Sequence, residues 1–158
     1  MRICFKTLIA TVALTLTAAP AFSTAPSPLA EGKALYEKSC ATCHTLERSL
    51  AKQTDQAGWE STIKKMVANG AKLDESQTGQ ILAYLTAKSA FETKCNTCHD
   101  LQKPLVAIKN AEQWKTTVLG MAAKKPGLLA DADAGAITLY LSLVTPITPA
   151  APAAPGYK

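Results

Sequence analysis

The feature that most constrains this chain is a five-residue pattern that occurs twice, as Cys40-Ala41-Thr42-Cys43-His44 and as Cys95-Asn96-Thr97-Cys98-His99. On a helical turn, two cysteines three residues apart and a histidine four residues after the first share one face. Such a face can meet one flat ligand. The two copies stand 55 residues apart, and the same offset joins Trp59 to Trp114, Met66 to Met121 and Tyr36 to Phe91. After one inserted residue the offset becomes 56, joining Leu73 to Leu129, Ile81 to Ile137, Tyr84 to Tyr140 and Leu85 to Leu141. Repetition on this scale implies two tandem copies of one unit.

Cys-x-x-Cys-His is the spacing for covalent attachment of c-type haem, the thiols forming thioethers with the vinyl groups while the imidazole reaches the iron. Two other uses of these residues compete. A redox disulfide could use either Cys-x-x-Cys pair, but it needs no adjacent histidine. Zinc could take Cys and His donors together, yet the consecutive residues Cys43 and His44 point along different directions of a turn and suit one tetrahedral centre poorly. On these residues the chain resembles the c-type cytochromes. The resemblance implies two covalently bound haem c groups, each with its iron, attached through Cys40, Cys43 and His44 and through Cys95, Cys98 and His99.

The amino terminus bears on the cysteine count. Arg2 and Lys6 precede an apolar run from Leu8 to Thr17, and Ala19-Pro20-Ala21 offers a small-x-small cleavage site. Residues 1–21 therefore read as a secretory signal peptide, with Ala25 as the alternative cleavage point. Cys4 leaves with it, and the remaining four of the five cysteines are those of the two motifs. Export to an oxidising compartment, the periplasm in a bacterium, would otherwise favour bridging of such thiol pairs. No second apolar run is long enough to span a bilayer. The signal carries two of the positive charges that make up the formal +5, so its removal leaves a mildly basic +3. That charge suits steering toward an acidic redox partner through lysines such as Lys33, Lys38, Lys94, Lys103 and Lys109. It is too small and too scattered for nucleic-acid binding.

The pattern between the motifs is helical and lacks sustained alternation, so the expected class is all-α: a few helices in each copy, packed around the bound group. Residues 22–30, with Pro26 and Pro28, read as a flexible leader, and helix begins at Glu31. Trp59, Ile63, Met66 and Val67 form one stripe that ends at Asn69-Gly70, and Asp74 or Ser76 caps a further helix carrying Ile81, Leu82 and Leu85. In the second copy the stripe is Trp114, Val118 and Met121, broken by Lys125-Pro126-Gly127. A last helix from Asp131 carries Ile137, Tyr140, Leu141 and Val144. The expected units are residues 31–87 and 88–145, with almost no linker between them and a Pro/Ala-rich tail over 146–158. Units of this size are marginal on their own, and a large apolar disc at the centre of each would supply the missing core.

Counting narrows the sixth position on each iron. His44 and His99 are the only histidines, so ligation by two histidines within one chain is excluded. Met66 and Met121 each lie 23 residues after the second cysteine of their motif, which fits one thioether ligand per iron. They equally fit ordinary core methionines, with five-coordinate iron or a Lys or Tyr ligand instead. The Trp-x6-Met spacing, Gly70-Ala71-x-Leu73 and Tyr84-Leu85 together resemble the compact cytochrome c domains of bacterial quinoprotein dehydrogenases and related respiratory modules, over most of residues 31–144. That resemblance implies single-electron transfer between a redox protein donor and acceptor, with a dehydrogenase or respiratory complex among the partners. With both histidines committed, no spare one serves as a general base, which favours a carrier over an enzyme. A haem peroxidase-like enzyme with one open iron, or an electron-transfer subunit of a larger dehydrogenase, remains the alternative. The second copy departs at Lys125-Pro126-Gly127, which could make the two potentials unequal.

Overall fold

The computed structural model describes residues 27–145. The expected signal segment, the first part of the expected leader and the expected tail beyond Thr145 lie outside the described residues. Within them are seven α-helices and no strand: α1 (Pro28–Cys40), α2 (Glu47–Leu50), α3 (Gln56–Ala68), α4 (Glu75–Cys95), α5 (Gln102–Leu105), α6 (Ala111–Lys124) and α7 (Asp131–Val144). The all-α expectation holds.

Local chemistry sets most of the boundaries. The Ser27 hydroxyl accepts from the Ala30 amide and Pro28 occupies the first turn, so helix starts three residues before Glu31. Pro28, Leu29 and Ala30 thus belong to α1 rather than to a flexible leader, and Leu29 is buried. Asp55 caps α3 through the Gly58 amide at 2.9 Å. Reciprocal capping boxes open α4 and α6, Asp74 with Gln77 and Asn110 with Gln113. Asp131 and Asp133 sit in the first turn of α7, where the helix dipole favours negative charge. Gly70 and Gly127 take φ of +106° and +82°, the left-handed values that end α3 and close the turn after α6.

The first of two further features was not expected, and the second goes one step beyond the near absence of a linker. The segment after each motif contains a one-turn helix, α2 or α5. The helix ending the first repeat and the helix opening the second are one element, α4, whose 21 residues span about 31 Å. The change from one repeat to the next, at 87–88, falls inside it. Lys88 on this stretch, 5 % exposed, reaches back in the chain to donate to the Leu50 carbonyl at 3.1 Å and pairs with Glu92 one turn further on at 2.6 Å.

Helix α4 is the spine. It packs on α1, α3 and α7, and α7 packs in turn on α6. The α1–α4 crossing is close because Gly32 lacks a side chain, and a Cβ there would lie 2.1 Å from the Gln80 carbonyl oxygen. Trp59, Trp114, Tyr36, Phe91, Ile81 and Ile137 are the largest fully buried side chains. Each indole finds a partner. Trp59 Nε1 donates to Ser89 Oγ at 2.7 Å and Trp114 Nε1 to Thr145 Oγ1 at 2.8 Å, which makes burial of these polar groups affordable. Val67, expected on the buried stripe, is exposed. At about 100° per residue it lies roughly 80° round α3 from Trp59, at the stripe's edge.

Candidate functional site

The first motif does not lie on one helical turn. α1 ends at Cys40, Ala41 to Cys43 form a turn, and His44 sits at a bend. A threonine helps to stop the helix in each copy. Thr42 Oγ1 donates to the Lys38 carbonyl at 3.2 Å and Thr97 Oγ1 to the Lys94 carbonyl, taking acceptors that the last turn leaves open. α4 ends in the same way at Cys95, followed by a turn through Asn96 to Cys98.

This turn aims the histidine. His44 Nδ1 lies 2.9 Å from the Thr45 carbonyl and His99 Nδ1 lies 3.1 Å from that of Asp100. A carbonyl only accepts, so in each ring Nδ1 carries the proton and donates. The Nε2 lone pair is left for a metal. Cys40 and Cys95 are half-buried, and Cys43 and Cys98 exposed. Burial pushes the Cys40 and Cys95 thiols above their ordinary range.

A cleft of about 640 Å³ opens beside the first motif, within the usual size range for a bound cofactor. Cys40, Cys43, His44 and Met66 all line it, with Trp59, Ile63, Leu73, Ile81 and Leu85 as apolar wall. Four residues from two distant parts of the sequence therefore converge, three from the end of α1 and the turn after it and Met66 from α3. Arg48, Lys52 and Lys65 also line the cleft and, among the described residues, no carboxylate does, so an anionic edge on a ligand would be welcome there. Tyr36 closes one side. Its hydroxyl donates to Ser49 Oγ at 2.7 Å, since Ser49 itself donates to the Leu46 carbonyl, and burial raises the phenol above its usual range.

At the second motif, Cys95 packs against the core edge, Cys98 and His99 are exposed, and Met121 is 43 % exposed. Met66 is half-buried. The two methionines thus occupy corresponding helical positions with different cover.

Sequence reasoning missed a recurring arrangement beside each tryptophan. Lys52 Nζ sits 5.5 Å from the Trp59 ring centroid and donates to Thr62 Oγ1 at 2.6 Å. Lys109 Nζ sits 5.4 Å from the Trp114 ring and donates to Thr117 Oγ1 at 2.8 Å. The lysines were hidden because they do not share the 55-residue offset, lying seven and five residues before their tryptophans. Of the lysines expected to face a partner, Lys109 is thus held at home, and Lys33 pairs with Glu37.

The donor set fits a haem better than its competitors. Among the described residues no three His, Cys, Asp or Glu side chains come together as a metal-holding group, which leaves the tetrahedral zinc arrangement without its geometry. The cleft instead offers two thiols, one imidazole and one thioether around an apolar volume. Residues 27–85 match the family described as cytochrome C oxidase, cbb3-type, subunit III. The matched stretch holds the first motif, Trp59 and Met66, and it supports a c-type cytochrome that transfers electrons through haem. No curated protein and no solved structure matches the chain.

Proposed function

We propose that this chain is an exported dihaem c-type cytochrome built from two tandem units, 31–87 and 88–145, and that it passes single electrons between redox proteins in the periplasm. The observation that carries the reading is the convergence of Cys40, Cys43, His44 and Met66 on one apolar cleft. Cys40 and Cys43 would hold the first haem through thioethers, and His44 Nε2 and the Met66 sulfur would supply its iron with two protein donors. Cys95, Cys98, His99 and Met121 would do the same for the second. Bound haem supplies a one-electron ferric/ferrous couple.

The chain's own residues do the rest. The Thr45 and Asp100 carbonyls fix each imidazole's tautomer and direction. Trp59, Ile63, Ile81 and Leu85 exclude water from the first site, and an apolar surround disfavours the more highly charged oxidised state. A respiratory complex or dehydrogenase is the natural partner class, in keeping with the matched family.

The departure of the second copy at Lys125-Pro126-Gly127 favours a second reading at that site alone: a sixth position that opens and admits small ligands, as a peroxidase-like enzyme would need. A potentiometric titration followed by absorption tests both. The carrier reading expects two one-electron steps and low-spin spectra that cyanide and peroxide leave unchanged. A high-spin fraction that binds cyanide and turns over peroxide would replace it with the enzyme.

A further inference from the structure

Four aromatic rings form one file through the core. Tyr36 of α1 meets Tyr84 of α4 with ring centroids 5.7 Å apart, Tyr84 meets Tyr140 of α7 at 6.1 Å, and Tyr140 meets Phe91 of α4 at 5.4 Å. The rings are tilted by 33–40° to one another, at separations within the range of interacting aromatic pairs. All four rings are 7 % exposed or less. The ends of the file are placed tellingly: Tyr36 lies one helical turn before Cys40 and lines the first cleft, and Phe91 lies one turn before Cys95. Tyr36 corresponds to Phe91 in the repeat and Tyr84 to Tyr140, so each copy contributes one pair. The Tyr84–Tyr140 contact fuses the pairs into a single file, and it exists because the unbroken helix α4 packs on α1 and α7 at once.

We propose that this file is the route by which an electron passes between the two motif sites, with Tyr84 and Tyr140 as the bridging rings. The proposal rests on the dihaem reading. The π electrons of an aromatic ring lie nearer in energy to a tunnelling electron than those of saturated side chains, so a ring-to-ring path presents a lower barrier than aliphatic core of the same length. One electron leaves the reduced iron and one arrives at the oxidised iron. No bond forms or breaks, and the rings are unchanged afterwards. No proton moves either. Burial raises both bridging phenols, Tyr140 to about 12, so each keeps its hydrogen at neutral pH.

The test uses the full-length haem-loaded protein, half reduced, in two-dimensional exchange NMR. Cross-peaks between haem methyl signals report intramolecular electron exchange, and dilution removes the intermolecular part. Tyr84→Leu with Tyr140→Leu should slow the exchange severalfold while both midpoint potentials stay put. Tyr84→Phe with Tyr140→Phe, which keeps the rings, should leave the rate at its wild-type value. If the leucine pair does not fold, Tyr84→Met alone fills most of the same volume without a ring and carries the same expectation. Unchanged exchange in the ringless variant overturns the route. So does slower exchange with shifted potentials, because the driving force then explains it. A protein carrying one haem refutes the dihaem reading instead, and its mass separates that outcome from failure of the route.

Discussion

Gly32→Ala tests the packing on which the first cleft depends. The added Cβ would lie 2.1 Å from the Gln80 carbonyl oxygen, 2.7 Å from its carbon and 3.3 Å from Tyr84 Cβ. The first two are backbone atoms inside α4 and cannot rotate away, so α1 and α4 must part by roughly 1 Å to reach an allowed contact in a close-packed core. Overpacking of this kind costs about 1–3 kcal/mol, and a backbone-to-backbone clash belongs at the upper end. Alanine's better helix propensity returns about 1 kcal/mol, leaving a net loss of about 1–2 kcal/mol. Gly79→Ala, on α4 with nothing within 4 Å of the new atom, is the matched control. It should gain up to about 1 kcal/mol. Urea unfolding of the haem-loaded protein, followed by far-ultraviolet circular dichroism, measures both. Equal stability of the two variants would refute the close α1–α4 crossing. Because Tyr36 lines the cleft from α1 and Ile81 and Leu85 from α4, parting these helices should also widen the cleft.

Three other perturbations have defined outcomes. Met66→Ala should abolish one of two methionine-to-iron absorption bands of the oxidised protein, and an unchanged spectrum would return Met66 to a packing role. Ser89→Ala removes the acceptor of the buried Trp59 N–H and should cost about 1–3 kcal/mol in denaturant unfolding; a neutral result would mean that the indole finds another partner. Alkaline pH should destabilise the fold through Tyr84 and Tyr140. Their folded-state values lie above the unfolded value of 10.0, that of Tyr140 at about 12, so their contribution is whole below pH 10 and is lost as pH rises toward 12. For Tyr140 the loss is about 2 kcal/mol. Tyr140→Phe should flatten that part of a stability–pH curve, and an unchanged slope would count against the burial of this phenol.

The legible part of the fold was the part written in short-range chemistry. The Asp74 cap, the Asn69-Gly70 stop and the apolar stripes of α3 and α6 follow from side-chain size and hydrogen-bonding capacity alone. The turn inside each motif was misjudged because Cys-x-x-Cys-His spacing also suits a helical face. The threonine hydroxyl that ends the helix between the cysteines competes with backbone bonding in a way that spacing does not reveal. The fusion of two helices into α4 was half visible: no breaker separates Leu85 from Phe91, but helical pattern alone does not say that one axis serves both sides. The hold of the Lys88 ammonium on the Leu50 carbonyl joins residues 38 positions apart, a separation at which no local pattern reports contact. The Lys52 and Lys109 placements depend on loop lengths that differ by two residues, beyond the reach of a fixed repeat offset. The unequal cover of Met66 and Met121 is likewise tertiary, since both methionines occupy the same position on their helices.

The central claim, that two haems are held through sulfur, meets its most direct test in the intact mass of the purified protein under denaturing conditions after acid-acetone extraction. The account predicts a chain cut near residue 21 that keeps the mass of two haem groups through the extraction. A chain that loses its pigment, or that carries one haem or none, would contradict it.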